Sequence, residues 1–146
     1  MLSGMTYMEH LQDNLRALAP YEPLSGREME VLKAALNVFL TQSNIRCTTC
    51  GYCMPCPYGV DIPSVFAHFN RCLDDELIPK GTRDPDYEKA RRAYLVEYER
   101  SVPELRQAAR CTGCGKCLTH CPQMIAIPDE MARLGKFVEN LRTRQG

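Results

Sequence analysis

At 146 residues, 16.6 kDa and 45% hydrophobic composition, the chain is sized for one domain and excludes a multidomain enzyme. Eighteen Lys+Arg balance eighteen Asp+Glu with no dominant run of like charge, so nothing marks a nucleic-acid surface. No apolar stretch approaches the roughly 18 residues of a membrane span, and MLSGMTYMEH lacks a basic segment followed by an apolar one, so the chain reads as soluble, unexported and cytoplasmic.

In chain order, residues 1 to 5 allow one extended fragment, after which Leu11, Leu15 and Leu18 recur at helical spacing and stop at Pro20. Ser25 and Glu28 form a capping-box pattern ahead of a second stripe, Met29, Leu32, Leu36, Phe39 and Leu40. Cys47, Cys50, Cys53 and Cys56 then fall within ten residues and are followed by Pro57. Ile62-Pro63 opens a helical stretch that carries His68 and Cys72, because a proline at an early helical position loses no hydrogen bond. Residues 78–86, IPKGTRDPD, read as a mobile loop. Tyr87, Ala90, Tyr94 and Tyr98 form another stripe, and Ser101 with Glu104 predicts a capped short helix running into Cys111. Cys111, Cys114, Cys117 and Cys121 precede Pro122, and Ile127-Pro128 opens a last helix with Met131, Leu134, Val138 and Leu141 on one face. No convincing alternating strand is present, so the expected fold class is all-α.

Eight of the nine cysteines therefore sit in two clusters, and the surroundings repeat with them. Arg46 and Arg110 precede each first cysteine, and Ile-Pro follows each Cys-Pro. Cys-x2-Cys-x2-Cys-x3-Cys-Pro is the iron-sulfur spacing of bacterial ferredoxins, in which the Cys before Pro ligates the other cluster. The first quartet repeats it with one residue fewer before its last Cys. Three thiolates spaced in this way on a curled loop reach three irons of a cubane, and the fourth iron takes a distant ligand. The ligand sets expected are Cys47, Cys50, Cys53 and Cys121 for one 4Fe-4S cluster, and Cys111, Cys114, Cys117 and Cys56 for the other. Gly51, Gly113 and Gly115 suit loops that need positive φ and close approach of backbone N–H groups to sulfur. Structural zinc fits overlapping three-plus-one quartets poorly, and an odd cysteine count without a leader disfavours disulfides. Cys72, outside both motifs, reads as a packed core thiol. His68 and His120 read as packing or surface groups, Arg46, Arg110 and Lys116 as neutralising cluster charge, and Tyr52, Met54 and Tyr58 as shielding the clusters from water. The interior is expected to be organised around ligands more than around a large apolar core.

CTTCGYCMPCPYGVDIPSVF (Cys47 to Phe66) and CTGCGKCLTHCPQMIAIP (Cys111 to Pro128) resemble the C-terminal 4Fe-4S domain found in a subset of bacterial and archaeal aldo/keto reductases. The resemblance implies a domain of the α-helical ferredoxin type that follows an NADP-binding (β/α)8 barrel. LSGM, residues 2 to 5, is similar to the end of that barrel's last strand, and TYMEHLQDNLRAL to the helix after it. In that helix an acidic-Asn pair, here Asp13-Asn14, touches the adenine end of NADP in a full-length parent. His10 stands where such reductases carry an Arg for the 2′-phosphate, and the catalytic Tyr, Lys, Asp and His of the family lie in the barrel and have no counterparts here. The implied organisation is a helical barrel remnant over residues 1–40 and a two-cluster domain over 41–146, with Met1 either an internal start or an artificial boundary.

The function expected is therefore an electron-transfer module that holds two 4Fe-4S clusters, is not itself catalytic, and works with a redox partner protein or the missing barrel domain. Two other readings stand beside it: the tail of an NADP-dependent aldo/keto oxidoreductase, and a helical interaction module that clusters merely staple.

Overall fold

The structure is a computed structural model that describes residues 4–19, 21–41 and 44–143, the side chain of Phe39 apart. The described residues are helical and contain no strand, so the protein is all-α. Of the extended fragment expected over residues 1 to 5, the first three lie outside the described residues, and Gly4 and Met5 belong to no regular element. The chain divides into two compact units, Met1–Gln42 and Ser43–Gly146.

In the first unit α1 spans Met8–Leu18 and α2 spans Gly26–Thr41. The capping box starts α2: the Ser25 N–H donates to Glu28 Oε2 at 2.8 Å and the Glu28 N–H to Ser25 Oγ at 3.3 Å. The two stripes have helical periodicity but are not core, since Leu11, Leu15, Leu18, Met29, Leu32, Leu36 and Leu40 are all exposed. Phe39, the remaining member of the α2 stripe, has its side chain outside the description.

The second unit carries α3 (Ile62–Asp74), α4 (Tyr87–Ser101) and α5 (Ile127–Thr143). Their inner faces supply Val65, Phe66, Phe69, Tyr94, Tyr98, Met131, Leu134 and Val138, all buried. Ile45, Cys47, Cys53, Cys56, Cys111, Cys117 and Cys121 pack against this layer from one end. The sequence-based expectation that ligands outweigh the apolar core is corrected here. The α4 tyrosines and α5 aliphatics build a continuous apolar interior behind the cysteine loops. Residues 78–86 form turns and bends, ending where Asp84 accepts from the Asp86 N–H at 2.9 Å.

A second correction concerns Ser101 and Glu104. Ser101 ends α4, and its hydroxyl accepts from Arg71 Nη2 at 3.2 Å instead of capping a helix. Pro103 follows, and the chain makes two 3-10 turns, Glu104–Arg106 and Ala108–Arg110, neither with a side-chain cap.

The cysteine loops repeat in backbone as well as in spacing. Gly51 and Gly115 have φ of 76° and 73°, and their carbonyls accept from the Met54 and Leu118 N–H groups at 2.9 and 3.0 Å. Two residues after the first cysteine stand Thr49 (φ 54°) and Gly113 (φ 72°); three after the last stand Gly59 (φ 78°) and Met124 (φ 50°). The Gly59 and Met124 N–H groups donate to Cys56 and Cys121 carbonyls at 3.0 and 3.1 Å. Each half thus makes matching left-handed steps, and a β-branched Thr49 occupies one that its repeat partner fills with glycine.

The deepest polar group is His68, 2% exposed, packed between the Tyr94 and Tyr98 rings at 4.7 and 5.2 Å. Arg71 Nη2 lies 3.4 Å from His68 Nδ1, and a guanidinium only donates, so Nδ1 accepts and Nε2 carries the proton, 3.5 Å from Cys72 Sγ. Burial, then the Arg71 charge, pushes His68 down to about 4, and burial pushes the Cys72 thiol up to about 11. Cys72 is accordingly a core thiol, 1% exposed.

Two outcomes are expected. Replacing Thr49 with Gly should raise the unfolding free energy by about 0.5–1 kcal/mol, since relief of the left-handed strain exceeds glycine's added chain entropy; a fall in thermal midpoint would contradict this. His68 is neutral when folded but binds a proton below about 6.5 when unfolded. Its contribution to stability is full above that pH and is lost as pH falls toward 4. Denaturant titrations between pH 7 and 4 should therefore give a shallower pH slope for His68→Gln than for wild type.

Candidate metal centre

Helices hold the approaches to both loops. Asn70, on α3, clamps Ile45 from both sides: the Ile45 N–H donates to Asn70 Oδ1 at 2.8 Å, and Asn70 Nδ2 donates to the Ile45 carbonyl at 2.6 Å. Ile45 lies two residues ahead of Cys47, so α3 fixes where the first loop begins. On the other side Tyr98 Oη accepts from the Ala108 N–H at 3.1 Å, and Gln107 Nε2 donates to the Val102 carbonyl at 3.0 Å. Arg142, near the end of α5, donates to Gln107 Oε1 at 3.1 Å. Gly135 of α5 faces the Ala109 backbone, which a Cβ there would meet in ordinary contact at 3.5 Å. These contacts fix the turn that delivers Cys111. The halves are joined directly as well, by the Asp61 N–H donating to the Arg106 carbonyl at 2.9 Å and by an Arg106–Asp61 ion pair at 3.8 Å.

Two cavities result, both walled by cysteines. One, of about 330 Å³, is lined by Cys53, Cys56, Cys111, Cys114 and Cys117. The other, about 20 Å³, is lined by Cys47, Cys50, Cys53 and Cys121. Cys56 therefore stands with the second loop and Cys121 with the first, while Cys53 reaches both walls. Burial raises the thiols of Cys47, Cys53 and Cys117. For Cys47 the Thr49 N–H, which donates to its Sγ at 3.4 Å, opposes the rise, while Cys50 and Cys121 add to it as neighbouring like charges. Cys117 responds in the same way to Cys111, Cys114 and Cys56. A group bound here must displace protons from these sulfurs and supply positive charge between them.

The donor set fits a polynuclear iron-sulfur group. All nine cysteines are free thiols. Eight of these thiols line the walls of the two cavities. Left-handed steps at Thr49, Gly51, Gly113 and Gly115 let the backbone curl around these cavities.

Of the other residues singled out in the sequence, Tyr52, Met54, Tyr58, Lys116 and His120 line the larger cavity. Tyr52 and Tyr58 remain 69% and 50% exposed, so their shielding is partial. Arg46 and Arg110 are exposed beside each first cysteine. His10, Asp13 and Asn14 lie on α1 in the first unit; His10 and Asp13 are exposed, Asn14 is half-buried, and His10 Nδ1 accepts from the Thr6 N–H at 3.4 Å. Sequence reasoning missed Asn70 and Gln107, and it placed Tyr98 on a stripe without its bond to Ala108; their partners are backbone groups without a side-chain signature. Thr49 and Met124 were legible in principle, since aligning the halves sets each opposite a glycine.

No helix among the described residues is long and apolar enough to cross a membrane. Comparison with curated proteins and with solved structures gives no match. A family model, the 4Fe-4S dicluster domain, matches residues 46–127, more than half of the chain and a span that takes in all eight clustered cysteines. The paired cysteine loops and this match have one meaning: the chain belongs to the 4Fe-4S dicluster domain family and is an iron-sulfur protein.

Proposed function

We propose that the chain is an electron-transfer module holding two 4Fe-4S clusters, one on Cys47, Cys50, Cys53 and Cys121, the other on Cys111, Cys114, Cys117 and Cys56. The observation that carries this reading is the pair of cavities: the smaller has Cys47, Cys50 and Cys53 of the first loop with Cys121 of the second, and the larger has Cys111, Cys114 and Cys117 of the second loop with Cys53 and Cys56 of the first. A bound 4Fe-4S cluster supplies reversible one-electron chemistry. The chain's own part is to hold eight thiolates, to curl N–H groups toward sulfur and to seat both loops on one apolar layer. Two thiol-walled cavities held on one helical unit fit a carrier working with a redox partner protein.

The resemblance borne by Cys47–Phe66, Cys111–Pro128 and the TYMEHLQDNLRAL segment supports a further reading. On it, residues 1–40 are the helical end of an aldo/keto reductase barrel, 41–146 the two-cluster domain, and the parent polypeptide an NADP-dependent oxidoreductase in which Asp13 and Asn14 face the adenine end. DNA upstream of Met1 tests it: an in-frame barrel is expected, and a stop codon directly upstream would overturn it.

Anaerobically purified protein is expected to carry about eight iron and eight inorganic sulfide per chain. In EPR of the reduced protein, Cys56→Ser should perturb the cluster of Cys111, Cys114 and Cys117, and Cys121→Ser that of Cys47, Cys50 and Cys53, while Cys72→Ser keeps its iron. Zinc without sulfide would overturn the cluster reading, and loss confined to the adjacent loop would overturn the shared ligation. Absence of any reversible reduction would leave a structural staple in place of a carrier.

A further inference from the structure

The two cavities are alike in their thiols and unlike in their walls. Around Cys47, Cys50, Cys53 and Cys121 the wall is mainly apolar, with Pro63, Phe66, Ile125 and Ile127; Thr48 and Gln123 are its neutral polar members, and no Lys, Arg, Asp or Glu lines it among the described residues. Around Cys56, Cys111, Cys114 and Cys117 the space is wider and the wall includes Lys116 and His120 with the phenolic Tyr52 and Tyr58. The internal repeat makes the comparison sharp. Lys116 precedes the third cysteine of its loop, and Tyr52 takes that place in the other loop, the backbones on either side matching in φ. Arg46 and Arg110 hold equivalent places in the two halves, and neither lines its cavity.

We infer that Lys116 makes the two sites unequal, so that the one formed by Cys111, Cys114, Cys117 and Cys56 takes up an electron first. The inference rests on the two-cluster reading above. Adding one electron takes a 4Fe-4S core from 2+ to 1+ and, with four thiolates, the whole group from 2− to 3−; no bond is made or broken and no proton moves. A cation in the wall favours the more negative state, and an apolar wall without charged side chains disfavours it. Both effects have the same sign here, raising one site and lowering the other. Lys116 is exposed, so salt screens its share.

The test is an anaerobic dithionite titration of the whole chain, followed by EPR and potentiometry at pH 8, where imidazole is ordinarily neutral. Iron and sulfide are assayed first; fewer than two four-iron clusters would sink the two-cluster reading and this inference with it. With both clusters present, two separated waves are expected. The signal at less than one electron per chain should change in Cys114→Ser and not in Cys50→Ser. Lys116→Gln should lower only the higher wave, by about threefold in the equilibrium constant for reduction, or roughly 30 mV, where tenfold is 59 mV for one electron. Lys116→Glu should lower it further, and 1 M salt should shrink both shifts. Coincident waves, movement of the lower wave, or a higher wave indifferent to both substitutions would overturn the inference while leaving the two-cluster reading intact.

Discussion

A short loop that turns several thiols toward one space must pass through left-handed backbone, and much of the second unit follows from that constraint. Each cysteine loop makes the step two residues after its first cysteine, again just after its second, and once more three residues beyond its last. Glycine fills four of those six positions, and Thr49 and Met124 fill the others. After so tight a curl the last cysteine of each loop, Cys121 on extended backbone, lines a cavity with cysteines of the opposite half. Each cavity is consequently closed by a thiol from the other loop, and neither loop completes a four-thiol wall alone.

Loops of this kind carry little stability of their own, so the helices must place them. The placement is polar and specific. Asn70 grips both backbone groups of Ile45, while Tyr98, Gln107 and Arg142 hold the chain ahead of Cys111. Leaving a buried backbone N–H such as that of Ala108 without its acceptor costs about 1–3 kcal/mol, comparable with the strain each left-handed side chain adds. The apolar layer behind them, with Phe66, Tyr94 and Met131 almost wholly buried, sets the distance between the two loops. His68 serves the same layer. Arg71 holds its tautomer and the α4 tyrosines cover its ring, which ties the histidine's neutral form to the packing of α3 on α4.

The cysteine spacing and the α3 to α5 stripes were legible in the sequence because both are local. Ligand spacing is a property of a few consecutive residues, and Tyr94, Tyr98, Met131 and Leu134 recur at the helical period. What failed was of another kind. Ser101 and Glu104 have the capping pattern, yet α4 runs on through Ser101 and Arg71 takes its hydroxyl, a contact from thirty residues away. Stripes on α1 and α2 identified helices correctly but said nothing of what covers their apolar faces, which are exposed here. Asn70 and Gln107 looked like ordinary polar helix or loop residues because their partners are backbone groups, and a sequence does not advertise which carbonyl will need a donor. Periodicity thus predicts that an element exists, whereas tertiary hydrogen bonds decide where it sits.

The repeat separates what a cluster loop requires from what it is free to vary. Requirement shows in the features both halves keep: the thiols, the left-handed turns, the Cys-Pro step and the Ile-Pro helix start. Freedom shows where they diverge, and the divergences lie in the walls. Lys116 stands opposite Tyr52, Met124 opposite Gly59, and a 3-10 turn at Leu118–His120 opposite the shorter Met54-Pro55. With backbone and ligands held in common, those wall residues are the means the chain has to give its two sites different surroundings. Eight thiolates and two 2+ cores would take the formally neutral chain to about −4, so a single cation in one wall acts against a strongly negative background. In a chain whose two halves share the thiol pattern and the left-handed turns, such wall side chains, with the width of the cavity, are where the surroundings of the two sites diverge.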